Sequence, residues 1–516
     1  MYLLRITNRM MSNNFLNDMM INLDNLQTIS GQLTSGKEIR RPSDDPFKVA
    51  RAMQLHTDIN TNKQYNENIK DTINFLDETD TALNQLGNQF QRVRELLVSA
   101  GGVYGTDERK KVKDEINEII GQVSQTLNSN FDGKYIFGGT RATTKPTNTI
   151  TGPATTKIEN KASADGNPPV EASVNGKYSG AENIDYEVEV DTTGAVKFIA
   201  NNKEVVPNLI KDASGNDIPG NWDLGNGLTF KMDGTQVNGT GYKFTAIAEG
   251  NTKLIFNSRK GEELSDLPPI ECKIPTDVTK WDGKEITFNV NGNDPDVVVK
   301  MESPKTPEDI INKINSNGNL KGKVFAVEVK HGKESSIQIY SLDENKVFIK
   351  DTGIDELKTN KFMGNYEMQI MGEDLITEIS QGVTVDYNTT AAEIIKFNDS
   401  KGNPRDLKDI LEKIVRDLDN PNRTNDITNE DLEAIDAVMD NILKLRSKVG
   451  AKQNRMDSAE SKNSSENFDM TDILSKTEDI NITEKVMQFA VAQTVYIAAL
   501  QTSAKIIQPT LMDYLR

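Results

Sequence analysis

The stretch from Ile69 to Leu97 reads IKDTINFLDETDTALNQLGNQFQRVRELL. Ile69, Ile73, Leu76, Leu83, Phe90 and Leu97 keep a heptad spacing, and Leu86 and Val93 widen the stripe. This period predicts a long helix whose apolar seam is too narrow to bury itself, so it needs partner helices. Gly101 and Gly102 break the run. After that bend Thr106 is placed to cap a third helix, with Asp107 and Glu108 in its first turn and Val112, Ile116, Ile119, Val123 and Leu127 on its face. Upstream, Leu16, Met19, Leu23, Leu26 and Leu33 repeat the same spacing, with Ser30 in the one polar slot.

The carboxy-terminal flank carries matching runs. Leu432, Ile435, Met439, Ile442, Leu445 and Val449 form one; Ile482, Val486, Phe489, Tyr496, Leu500 and Ile507 form another, with Gln493 and Ser503 between them in the seam. The two ends of the chain are therefore natural partners for each other. Between Arg141 and Arg405 lie 24 of the 35 glycines and 13 of the 17 prolines, which marks the middle as turn-rich and the flanks as helical.

The middle reads as β. Tyr186, Val188 and Val190 alternate, Thr193-Gly194 turns, and Val196 with Phe198 resumes; Leu228, Phe230 and Met232 lead through Asp233-Gly234 to Tyr242, Phe244, Ala246 and Ala248. Hairpins fit both stretches. A second unit runs Ile286, Phe288, Val290, a turn at Asn291-Gly292, then Val297 and Val299. Thr306 caps a short helix with Pro307 first and Ile310, Ile311 and Ile314 inward, ended by Gly318; strands at Phe325 to Val329 and Ile337 to Ile339 flank His331-Gly332.

The expected fold class is α + β multidomain: a long helical coiled-coil bundle formed by both termini, with a β-rich central insertion of one or two domains. The expected division is 1–40 with 477–516 as terminal assembly helices mobile in the monomer, 41–140 with 406–476 as a helical rod, 141–275 with 352–405 as a β-rich domain, and 276–351 as a strand-strand-helix-strand-strand module.

A net charge of −18 from 60 basic and 78 acidic residues speaks against nucleic acid and anionic membrane as partners. Cys272 alone excludes a disulfide scaffold. The start, MYLLRITNRMM, lacks the apolar run of a cleavable signal peptide, and Gln488, Gln493 and Thr494 interrupt the most apolar stretch, Val486 to Leu500, well short of a membrane span.

Catalytic chemistry finds little to stand on. His56 and His331 are the two histidines, in a helix and a tight turn, and Cys272 has no identifiable base beside it. Gly31 to Lys37 has phosphate-loop spacing, but Glu38 replaces the Ser/Thr and a helix precedes it. Asp58, Asn60 and Asn62 sample a calcium-loop spacing with Lys63 where glycine belongs. Asp44-Asp45 before Pro46 reads as a helix start, with Asp45 as N-cap. Trp222 and Trp281 read as core rather than ligand platforms.

Three segments carry a resemblance. SGKEIRRPSDDP, 35–46, resembles the turn between the first two helices of the bacterial flagellin family. FDGKYIFGGT, 131–140, resembles the exit to the β domain in the family's hook-associated members, and FAVAQTVYIAALQTSAKIIQPTLMDYLR, 489–516, resembles their terminal helix. Pro42, Pro46 and Tyr135 to Gly139 separate these motifs from those of filament flagellins. The 276–351 module resembles the family's IN repeat, with Ile314-Asn315 at its centre. The middle is longer than in compact members, and Glu38 stands where a basic residue is common.

The resemblance implies a structural subunit of the flagellum, not an enzyme, with no cofactor or metal. It implies export through the flagellar type III apparatus without a cleaved signal, to the extracellular flagellum. Its partners would be further copies of itself in a ring or helical layer, hook-associated protein 1, flagellin and a cytosolic export chaperone. The unsatisfied terminal seams would then be the subunit interface: Leu16, Met19, Leu23, Leu26, Leu33, Ile482, Val486, Phe489, Tyr496, Leu500 and Ile507. The alternatives are a filament flagellin, or an adhesin or carbohydrate-binding knob on a helical stalk.

Overall fold

The computed structural model describes residues 8–39, 41–101, 106–161, 170–191, 193–212, 214–233, 239–265, 269–273, 278–290, 293–331, 334–342, 347–352, 363–420 and 423–506. The chain opens with three helices, α1 (Asn8–Ser35), α2 (Pro46–Ala100) and α3 (Thr106–Leu127). The principal strands that follow are β1 (Thr147–Thr151), β2 (Glu171–Gly176), β3 (Ile184–Val190), β4 (Val196–Ala200), β5 (Asp217–Gly225), β6 (Leu228–Asp233), β7 (Gly241–Ile247) and β8 (Thr252–Phe256). Next come β9 (Ile270–Lys273), β10 (Glu285–Val290), β11 (Asn293–Lys300), α4 (Pro307–Asn315), β12 (Val324–His331), β13 (Glu334–Ser341) and β14 (Val347–Thr352). The chain closes with α5 (Tyr366–Met371), β15 (Ile376–Ser380), β16 (Val383–Asp386), α6 (Ala391–Ile395), α7 (Leu407–Asp419), α8 (Leu432–Glu478) and α9 (Ile482–Ile506).

These elements form two compact units. One comprises Met1–Asp71, Thr377–Val385 and Arg455–Arg516; the other comprises Thr72–Ile376 and Asp386–Asn454.

In the larger unit the helical core follows the heptads. Leu76, Leu83, Leu86, Phe90, Val93 and Leu97 of α2 are fully buried, as are Ile116 and Val123 of α3 and Ile435, Ile442 and Val449 of α8; Val438 is buried where the heptad had placed Met439. Opposite charges flank the seam: Arg446 grips Asp80 with two nitrogens at 2.9 and 3.0 Å, and Arg94 meets Asp436 at 2.7 Å. The amphipathic α7, which the heptad reading did not single out, buries Leu407, Leu411, Ile414, Val415 and Leu418.

The expected β3–β4 hairpin forms, with Val190 paired to Val196 around Thr193-Gly194. The second expected hairpin does not. β6 pairs with β2 and β5, whereas β7 pairs with β3, so consecutive strands lie in opposing sheets. The reason lies in their alternation: Phe230 of β6 stacks on Phe244 of β7 at 6.0 Å, so both apolar faces bury against each other across a sandwich instead of side by side. Trp222 joins that core beside Phe198 at 5.3 Å.

The module around α4 consists of two three-stranded sheets, in the orders β9-β13-β12 and β11-β10-β14, packed with the helix on one core that holds Trp281, Phe288, Ile310, Ile314 and Cys272. Strand β9 precedes residue 276 yet completes the first sheet through β13. Thr306 and Asp309 form a reciprocal capping box with Pro307 in the first turn. Asn315 bonds Ala326 twice, accepting from its N–H and donating to its C=O at 2.8 Å each, while its neighbour Ile314 is fully buried. That pair anchors the helix to β12 by one polar and one apolar contact. The turn at Asn291-Gly292 lies outside the described residues.

Candidate assembly surface

The terminal helices α1 and α9 pack on each other. They run antiparallel out of a joint in which Glu38 N–H donates to Glu478 C=O at 2.7 Å and Ile480 N–H donates to Gly36 C=O at 3.1 Å. Gly36 makes that turn possible with φ +71°, in the left-handed region. Polar side chains close the joint: Lys37 Nζ lies 2.7 Å from Asp479 and 3.4 Å from Glu478, and His56 Nε2 lies 3.1 Å from Glu478. The hydrogen bond to Asp479 raises the Lys37 pKa above the ordinary lysine value, and the same bond lowers that of Asp479. Asp45 then caps α2, accepting from the N–H groups of Phe47 and Lys48 at 3.1 Å each.

The α1–α9 pair is incomplete as a packing unit. Neither helix has a buried residue among those described. Leu16, Met19, Leu26 and Leu33 of α1 are half-buried and Leu23 is exposed; on α9, Phe489 and Tyr496 are half-buried, whereas Ile482, Val486 and Leu500 are exposed. Ile507 and the side chain of Ser503 lie outside the described residues. Ser30 is half-buried and Gln493 is exposed.

Residues that the heptad reading omitted complete the picture. Met487, Val491, Val495 and Ile497 are also exposed, so seven large apolar side chains of α9 are between 43 and 66% accessible. Between Ile482 and Ile506 the charged residues are Glu484, Lys485 and Lys505. The apolar residues surround the helix, and α1 covers one side only. A groove of about 600 Å³ between the two helices is lined by Asn22, Ile29 and Gln32 on one wall and by Gln488, Ala492 and Val495 on the other. The signal for this surface was available in the sequence: a helix apolar on every face requires burial on every face.

The competing chemistry resolves into structure. Gly31 to Ser35 continue α1, and Glu38 pairs with Lys48 at 3.2 Å. Asp58, Asn60 and Asn62 lie inside α2. Cys272, Trp222 and Trp281 are buried core residues. His331 ends β12 opposite Glu334. Among the described residues, no group of three or more His, Cys, Asp or Glu is placed to hold a metal ion, and no helix is long and apolar enough to cross a membrane.

Residues 6–142 match the family model of the bacterial flagellin N-terminal helical region. Similar proteins include a flagellin of Clostridium tyrobutyricum, 28% identical over 138 residues, which are 26% of this chain and 37% of that protein. A flagellar filament 30.7 kDa core protein of Treponema maltophilum is 30% identical over 137 residues, 26% of this chain and 48% of that one. This chain thus spans less than half the length of either relative. Among solved structures, flagellar hook associated protein-3 of Legionella pneumophila aligns over 82% of this chain and 98% of its own at 12% identity and a TM-score of 0.32. FlgL of Xanthomonas campestris aligns over 81% and 98% at 12% identity and a TM-score of 0.29; nothing further follows from likenesses this low. By the family match and these relatives, the amino-terminal quarter of the chain, residues 6–142, is similar to the bacterial flagellin N-terminal helical region.

Proposed function

We propose that this chain is a structural subunit of the bacterial flagellum, outside the cell, that joins the hook to the flagellin filament. The observation that carries the reading is α9: apolar all round, covered on one side by α1 and held at the end of a flagellin-type helical region. Adjoining copies would supply the missing faces through heterologous contacts, burying Leu16, Met19, Leu23, Leu26, Leu33, Ile482, Val486, Phe489, Tyr496, Leu500 and Ile507. Ordering terminal segments costs about 1 to 2 kcal/mol of backbone entropy per residue, and burial of apolar area at about 25 cal/mol per Å² offsets it only when neighbours are present. The net charge of −18 sets copies to repel one another, so this apolar contact must dominate.

In this reading hook-associated protein 1 lies on one side of the layer and flagellin on the other. A cytosolic chaperone holds α9 before export through the type III apparatus without a cleaved signal. The Pro42, Pro46 and Tyr135–Gly139 motifs favour the junction role. The relatives at the amino terminus are filament proteins, which favours the second reading, a filament subunit. Electron microscopy of a deletion strain, with the chain's copy number in sheared filaments, separates the two. A junction protein is scarce, and its loss leaves hooks bare; an abundant subunit along the filament's length would refute the junction role.

A further inference from the structure

The seam between α2 and α8 changes character just beyond Ile69. Lys70 reaches Glu460 at 3.8 Å, and Ala52 and Ile59 share a small core with Leu474, which sets the two helices antiparallel in one register. In that register the heptad positions between those contacts place Asn66 opposite Asn463 and Asn62 opposite Asn467. Two successive seam layers are therefore asparagine on both helices. Asn62 is 7% exposed and Asn463 is 2% exposed, so these side chains occupy core positions. The side-chain oxygens of Asn62, Asn66 and Asn467 are closed off from solvent and accept no hydrogen bond from the protein. Asn463 alone has an evident structural use, its amide donating to Ile379 C=O of β15 at 2.9 Å.

On the terminal side of these layers the apolar core is thin. Ala52 and Ile59 are the buried apolar residues of α2 between Pro46 and Asn68, and Leu474 is the one in α8 between Asn463 and Glu478, with Leu55 and Met470 packed at the edge. On the other side Leu76, Leu83, Leu86, Phe90, Val93 and Leu97 are completely buried in succession. Polar layers forfeit the apolar burial that couples one heptad to the next, and a buried amide without a partner costs more than it returns. Cooperativity along the coil is weakest where two such layers adjoin.

We propose that the two asparagine layers are a built-in breakpoint, so that Pro46–Asn66 with Asn463–Glu478 opens and recloses as one unit while the seam from Leu76 to Leu97 stays shut. The inference rests on the seam alone and stands apart from the flagellar reading.

Hydrogen–deuterium exchange on the full chain, resolved to peptides at neutral pH, tests it. In the wild type, amides of residues 52–59 and 470–474 should exchange at a common rate at least 100-fold faster than those of residues 83–97. A smaller difference, or unequal rates on the two helices, overturns the proposal without any variant. In the Asn62→Leu/Asn467→Leu double variant, which leaves the Asn463 contact with β15 in place, exchange of residues 52–59 should slow at least tenfold with residues 83–97 unchanged. Any lesser slowing overturns it as well.

Discussion

Glu412 of α7 shows how far a buried residue departs from its usual chemistry. Burial pushes its carboxyl up to about 7, against the attraction of Lys253 at 3.0 Å and with the nearby Asp185 carboxylate adding to the rise. Burial also works against the Lys253 ammonium, yet Glu412, Glu263 and Asp185 outweigh it and raise that pKa. Asp185 itself stays low: burial opposes its charge, but the Thr245 hydroxyl at 2.8 Å and Arg416 at 2.7 Å prevail. Because the folded pKa of Glu412 lies above its ordinary 4.5, its contribution is fully present below about pH 4.5 and is lost as pH rises through about 7. Asp431, pushed up to about 6 mainly by burial, acts in the same direction. Urea denaturation of wild type and Glu412→Gln at pH 5, 6, 7 and 8 should show the variant gaining relative to wild type as pH rises. The gain is bounded by one proton, about 1.4 kcal/mol per pH unit. A constant difference would refute the assignment. Asp399 has the opposite sign: the Asn403 N–H foremost, with the Asn403 amide and Arg405 behind it, holds its pKa at about 2, so its contribution is lost as pH falls through that value.

Among the elements, three hairpins share one construction: β3 with β4, the short strand Asn208–Lys211 with β5, and the strands Lys396–Asn398 and Pro404–Asp406. Asp191, Asp212 and Asp399 each take the N–H of the glycine three residues on into their own C=O at 3.0 to 3.1 Å. The glycines Gly194, Gly215 and Gly402 sit at φ +85°, +86° and +84°. Each aspartate side chain accepts from further N–H groups of the same loop. The D-x-x-G spacing was in the sequence, but two-residue turn signals read one of these loops and passed over the other two. In α4, Asn315→Ala would leave the Ala326 N–H and C=O without their partner and should cost about 2 to 4 kcal/mol. Thr306→Ala should cost about 1 kcal/mol. Chemical denaturation followed by Trp281 fluorescence measures both, and equal effects would contradict the central place of Asn315. For α9 the expectation reverses. Leu500 is 43% exposed, so Leu500→Asp should change monomer stability by less than about 0.5 kcal/mol yet abolish incorporation into flagella. Normal incorporation would remove Leu500 from the proposed interface.

For the molecule as a whole, removing residues 1–40 or 477–516 takes away helices that bury none of their described residues, so the remainder should fold with its melting temperature nearly unchanged. The same truncations should fail to restore motility to a deletion strain. A melting temperature lowered by more than about 5 °C, roughly 1 to 2 kcal/mol for a domain of this size, would mean that the ends stabilise the rest of the monomer.

Local periodicity determined the helices α1, α2, α3, α8 and α9, the β3–β4 hairpin and the capped α4, because each depends on neighbours within a few positions along the chain. The sequence likewise contained the apolar excess of α9, since covering every face of a helix needs no knowledge of its surroundings to be recognised as unsatisfied. Only the tertiary structure decided that β6 and β7 oppose each other across a sandwich and that β9 completes a sheet through β13. It also decided that α7 carries a buried charge network and that Asn62 of α2 and Asn463 of α8 are buried. The physical reason is the same in each case: strand partners and buried ion pairs are chosen by which surfaces are left uncovered once the local elements exist, and residues hundreds of positions apart supply them.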